Sequence, residues 1–77
     1  MSNFQELVSK KLKSARKKHA RQISSPHDAY ANILEELDEV KLEVWKKTKK
    51  RNLKKLLAEL VDVAAMCQRS AEDLELF

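Results

Sequence analysis

The sequence has no glycine, one proline, one cysteine and only 5% aromatic residues. So few helix breakers, set among many Leu, Ala, Glu and Lys, make a helical composition. The lone cysteine, Cys67, excludes an internal disulfide framework and points to a reducing compartment. It lies on the apolar side of a helical pattern and is expected to be a buried structural thiol. No run of about 18 apolar residues is present, and the N-terminus lacks the apolar core of a signal peptide, so a cytoplasmic location is expected. The scarcity of aromatics also argues against a surface that stacks single-stranded bases.

What is there is charge, at 36% of residues, and enough hydrophobic content, at 43%, to exclude a disordered tail. Seventy-seven residues make one domain at most, and a chain so short buries too little surface to be comfortable alone. An association partner is the usual remedy. The net charge of +4 hides four alternating blocks: +6 over residues 1–26, −5 over 27–45, +7 over 46–58 and −4 over 59–77.

Three helices are expected. The first starts near Ser2, with Gln5 reaching back to the cap, and carries Phe4, Leu7, Val8, Leu12 and Ala15 at helical spacing. Lys10, Lys11, Lys13, Arg16, Lys17 and Lys18 cover the rest of it, and Gln22 to Ser25 reads as a connection. Ser25-Pro26-His27-Asp28 is a strong helix start, with Ser25 as cap and Pro26 in the first position. Tyr30, Ile33, Leu34, Leu37, Val40 and Val44 then form one apolar stripe running to about Lys47. The cluster from Lys46 to Asn52 marks a joint. The third helix carries Leu53, Leu56, Leu57, Leu60, Val63, Ala64 and Cys67. Ser70 to Asp73 either opens a short final helix or continues the third. The organisation is one domain over 1–77: a basic helix and connection to residue 24, a helical hairpin over 25–70, and a tail over 71–77.

Glu36 and Glu39 lie three apart and project from one side of the second helix; Glu59 and Asp62 do the same on the third. On both helices the apolar stripe is centred about 80–100° from the first acid, so that acid borders the core and the second lies about 60° further out. Packed antiparallel, the two helices bring four carboxylates to one edge of their interface. Such a group repels itself unless a cation bridges it, and an all-oxygen set suits Mg²⁺ or Mn²⁺. Against that stands the simpler view that glutamates at helical spacing are solvated surface.

The run Glu35-Glu36-Leu37-Asp38-Glu39, followed after nineteen residues by Glu59-Leu60-Val61-Asp62, resembles the EExxE…ExxD signature of MazG-like nucleotide pyrophosphohydrolases. The flanking text from His27 to Met66 is similar to small phage and bacterial members, and the likeness covers roughly residues 26–70. The resemblance implies an all-α, metal-dependent hydrolase working as a homodimer or homotetramer. Such enzymes cleave nucleoside triphosphates to a monophosphate and pyrophosphate, often to clear aberrant nucleotides. Carried over, Glu36, Glu39, Glu59 and Asp62 would be the Mg²⁺ ligands, with Glu36 and Glu39 serving catalysis. Glu35 matches the first acid of the motif but points away from the core. Larger members add a helix whose basic and polar residues contact the phosphates, and no stretch here matches it. Lys46, Lys49, Lys50 and Arg51, or the basic first helix, are the candidates to take that part.

His19 and His27 read as surface residues, and Tyr30 and Trp45 as core or subunit interface. Two other functions compete: a helical oligomer without catalysis, and a nucleic-acid binder using Lys10 to Arg21. No helix-turn-helix with a recognition helix accompanies that basic run. Membrane association is not expected.

Overall fold

Each helix starts at a side-chain cap. The computed structural model describes residues 3–46, 48–50 and 52–77. α1 spans Phe4–Lys18, α2 Pro26–Val44 and α3 Leu53–Asp73, with a single 3₁₀ turn at Thr48–Lys50 between the last two. Among the described residues there is no strand, so the all-α expectation holds.

Asn3 caps α1, its Oδ1 accepting from the Glu6 N–H at 2.8 Å. That is one residue later than the sequence suggested, and Ser2 itself lies outside the described residues. Ser25 caps α2 as expected, accepting from the Asp28 N–H at 3.1 Å, with Pro26 at the first position. α2 ends at Val44 rather than near Lys47, which also lies outside the described residues. Asn52 caps α3 by accepting from the Lys55 N–H at 3.1 Å. α3 runs on through Ser70 to Asp73, so no separate final helix forms. It closes with Glu75 at φ 54°, where a glycine would ordinarily sit. There the Leu76 N–H bonds the Ala71 carbonyl and the Glu75 N–H the Glu72 carbonyl.

α3 is the central element. α2 packs antiparallel on one side of it and α1 lies parallel on another, while α1 and α2 do not pack together. A small cluster joins α1 to α3: Val8 and Leu12 against Val61 and Ala65, with Leu7 and Ala64 at its margin. The connection after α1 is fastened to the end of α3. Arg69 Nη2 donates to the carbonyls of His19 and Arg21, the latter at 2.7 Å, and Asp73 Oδ2 accepts from the Ile23 N–H at 2.9 Å. Arg16 reaches from α1 to Glu72 and Asp73, at 2.9 Å each.

The leucine stripe of α3 does not face this interior. On α3 the buried residues Glu59, Val61, Ala65, Arg69 and Ser70 centre roughly 170° from the leucine stripe. Leu53, Leu57 and Leu60 are therefore exposed, as are Tyr30, Leu34, Leu37 and Val44 on α2. Cys67 belongs to the same outward stripe and is exposed, which corrects its expected burial. Tyr30 and Trp45 are likewise not core residues of this chain; Trp45 is 77% exposed, with Lys41 Nζ 5.5 Å from its ring. The radius of gyration, 13.4 Å, exceeds the roughly 11.5 Å expected for a compact chain of this length. The chain is thus an open arrangement with a long apolar face uncovered.

Candidate metal centre

Antiparallel packing sets the middle turns of α2 and α3 opposite each other, so residues three apart on one helix meet residues three apart on the other. Glu36, Glu39, Glu59 and Asp62 each bring one carboxylate oxygen to a common point, all four within 4.8 Å of one another. The four side chains differ in exposure. Glu59 is buried at 8%, Glu36 and Asp62 are half-buried, and Glu39 is exposed.

Few positive charges offset the group. Lys11, from α1, pairs with Asp62 at 3.3 Å. Among the described residues two buried side-chain atoms lack a hydrogen-bond partner, Glu59 Oε2 and Arg69 Nε; Arg69 Nε has the Asp73 carboxylate 3.6 Å away, whereas the neighbours of Glu59 include three further acids. Burial, then a side-chain hydrogen bond shared with the Glu39 carboxyl and the charge of that group, raises the proton affinity of Glu59 above that of an ordinary glutamate. Burial, then the charges of Asp62 and Glu39, does the same at Glu36. Such a group accepts either protons or a cation.

The donor set suits a small hard cation. Mg²⁺ binds oxygens at about 2.1 Å, so opposed ligands lie about 4.2 Å apart, and a slight closure of the four oxygens reaches that spacing. Glu59, one of the four, also carries a buried oxygen, Oε2, that has no hydrogen-bond partner.

A cavity flanks the carboxylates on either side. Toward the joint between α2 and α3, one of 460 Å³ is lined by Glu39, Leu42, Glu43, Lys46, Lys55 and Glu59. Toward the start of α2, another of 360 Å³ includes Glu35, Glu36, Asn32, Ile23, Met66 and Arg69. Glu35 is exposed on that side and outside the group of four, as its phase required.

Of the basic residues picked out in the sequence, Lys46 lines the first cavity; Lys49 and Lys50, exposed in the 3₁₀ turn, do not. Arg51 lies outside the described residues. His19 and His27 are exposed. In the basic first helix, Lys11 and Arg16 are engaged with acids of α3, while Lys10, Lys13, Lys17 and Lys18 face solvent.

Three residues near the site went unnoticed in the sequence. Lys55 stands four before Glu59, a spacing that could have revealed it. Lys11 comes from a helix whose docking no local pattern shows. Glu43 belongs to neither acidic pair, yet it is 1% exposed. Its Oε2 accepts from the Asn52 N–H at 2.9 Å and its Oε1 from Lys46 at 3.0 Å, fastening the end of α2 to the cap of α3. That fastening fixes the register in which the four carboxylates meet.

Compared with protein-family profiles, with curated proteins and with solved structures, the chain matches none of them. Among the described residues no helix is long and apolar enough to cross a membrane.

Proposed function

We propose that this chain is a Mg²⁺-dependent nucleoside triphosphate pyrophosphohydrolase of the MazG-like type, acting as a homo-oligomer in a reducing, cytoplasmic setting. The observation that carries the reading is the convergence of Glu36, Glu39, Glu59 and Asp62 from two helices, with Glu59 buried and one of its oxygens unpartnered. Carboxylates that merely solvate a surface turn outward and do not leave a buried acceptor empty.

These four residues would hold the cation, which supplies charge neutralisation on the triphosphate and acidification of water. In the reaction a water oxygen forms a bond to the α-phosphorus. The bond from that phosphorus to the oxygen bridging the β-phosphate breaks, and its electron pair leaves with pyrophosphate. Glu39, the exposed member, takes the water proton. Glu36 and Glu59, held in the interface, keep the ligand geometry fixed. Lys11 holds Asp62 in place and limits the negative charge of the empty group.

The exposed stripes of α2 and α3 support assembly. Leu37, Leu57 and Leu60 lie on faces that a second copy would cover, completing a four-helix core. Light scattering should give a mass above the monomer's 8.9 kDa, and Leu60→Lys should shift it toward one chain. A monomeric wild type would refute assembly.

The activity is tested by pyrophosphate release from a panel of ordinary and modified nucleoside triphosphates, with and without Mg²⁺. Metal-dependent release that falls at least about a hundredfold in Glu59→Gln is the expected result, a loss of about 2.7 kcal/mol in transition-state stabilisation. Folded protein that releases nothing from any triphosphate would overturn the reading.

A further inference from the structure

Hydrolysis between the α- and β-phosphates gives the substrate a direction: a nucleoside on one side of the carboxylates, two phosphates on the other. The two flanking cavities differ in one respect: among the described residues, one is lined by a lysine that no ion pair holds, while the arginines of the other are engaged. We propose that the 460 Å³ cavity between the last turn of α2 and the first turn of α3 receives the two terminal phosphates, the pyrophosphate leaving group, with Lys55 as the principal holding residue and Lys46 as the second. This inference rests on the pyrophosphohydrolase reading and assigns one half of its substrate to a place.

Position comes first. Glu39 and Glu59 belong both to the carboxylate group and to the wall of this cavity, so an anion lodged here lies beside a cation held by the four acids. Charge comes second. Lys46 and Lys55 are the basic residues of the lining. Lys46 is fixed by Glu43, whose other oxygen is tied to the Asn52 N–H. That arrangement presents a cation at a set place without freezing loose side chains on binding. Among the described residues no ion pair holds the Lys55 ammonium, and Lys55 lines the cavity one helical turn before Glu59. It is available to an incoming phosphate.

The opposite cavity is built for something else. Its arginines are already engaged: Arg69 with the His19 and Arg21 carbonyls, and Arg21 with Asp28 at 3.8 Å. Ile23 and Met66 give it an apolar wall; its acids, Asp28, Glu35 and Glu36, match in number those of the phosphate cavity, so the contrast lies in how the cations are committed. A nucleoside carries little charge and tolerates that lining.

Inorganic pyrophosphate is the probe. Calorimetric titration in the presence of Mn²⁺ is compared for wild type, Lys55→Gln, Lys55→Arg and the double variant Lys49→Gln/Lys50→Gln, all checked for helicity and mass. Lys55→Gln should weaken pyrophosphate at least about tenfold, and Lys55→Arg should restore most of it. The double variant should change it less than about twofold. Mn²⁺ affinity, measured alone, supplies a second sign. Removing a positive charge beside Glu59 should leave Mn²⁺ binding unchanged or tighter, so a pyrophosphate loss cannot arise through the metal. Unchanged pyrophosphate affinity in Lys55→Gln, or an equal loss in the double variant, overturns the assignment even if triphosphates are hydrolysed. A Lys55-dependent pyrophosphate site in protein that hydrolyses nothing supports the assignment while the catalytic reading falls.

Discussion

Acidic residues serve two opposite ends in this molecule. Asp73 is 3% exposed in its side chain and fully engaged: its oxygens accept from Arg16 and from the Ile23 N–H, both at 2.9 Å, and Arg69 Nε stands 3.6 Å away. Against a burial that raises it, those partners hold the Asp73 carboxyl below the usual aspartate range. At Glu43 the Asn52 N–H, then Lys46, does the same. At the middle of α2 and α3 the balance is reversed. Glu59 is nearly as buried, yet one oxygen has no partner, and its neighbours are three further acids. Burial with partners makes a joint between elements. Burial among like charges costs stability, and a cation can recover it.

The largest effect expected from this contrast is at the joint. Asp73→Ala removes the acceptor that ties the α1–α2 connection to α3, leaving the Ile23 N–H unmatched, Arg69 Nε without its anion and Arg16 with Glu72 alone. A loss of about 3 kcal/mol is expected, read as a lower urea midpoint with an unchanged slope. A change under about 0.5 kcal/mol would mean that the joint is ordinary surface.

Next is the response of the carboxylate group to metal. At a Mg²⁺ concentration one hundred times its dissociation constant, the native state gains about 2.7 kcal/mol, several degrees in Tm or more for a chain of this size. Asp73→Asn should lower the starting stability and keep the gain; Glu59→Gln should lose it. If Mg²⁺ stabilises both variants equally, it is acting on the charge of the whole chain, and the contrast between the two regions fails.

How far this was legible in the sequence follows the same division. Ser25-Pro26 and the 3.6-residue periodicity announced the helices because caps and stripes act locally. The four ligand candidates were visible because i,i+3 pairs on two antiparallel helices need only a short connection to meet. The joints were not visible. Arg69 bonds carbonyls about fifty positions away, and Asp73 reads like any acid near a helix end. The side on which α1 docks is set by Val8 and Leu12 meeting Val61 and Ala65. That choice turned the leucine stripe of α3, and Cys67 with it, outward. A stripe shows which face wants cover; it does not say whether this chain or another copy covers it.

The smallest effect concerns pH, and it sharpens the contrast by sign. Free glutamates titrate near pH 4.3 when the chain is unfolded. Glu36 and Glu59 have native values raised above that by burial and by neighbouring acids, so between the two values the native state holds more protons than the unfolded one. Stability from these groups is therefore complete below the unfolded value and declines as pH rises through the raised ones. The partnered acids run the other way. Asp73 and Glu43 have depressed values, so their contribution is present above the unfolded value and is lost as pH falls through the native ones. In metal-free protein, Glu59→Gln should thus match wild type near pH 4 and become the more stable of the two near neutrality, because the amide sheds a charge held among like charges. Melting curves from pH 4 to 7 without divalent cations read this directly. The gap should close when Mg²⁺ is added to wild type, since the cation needs the carboxylates ionised and its stabilisation grows as protons leave. A gap that is constant with pH would place the effect in packing rather than charge, and Glu59 would then be one more buried side chain.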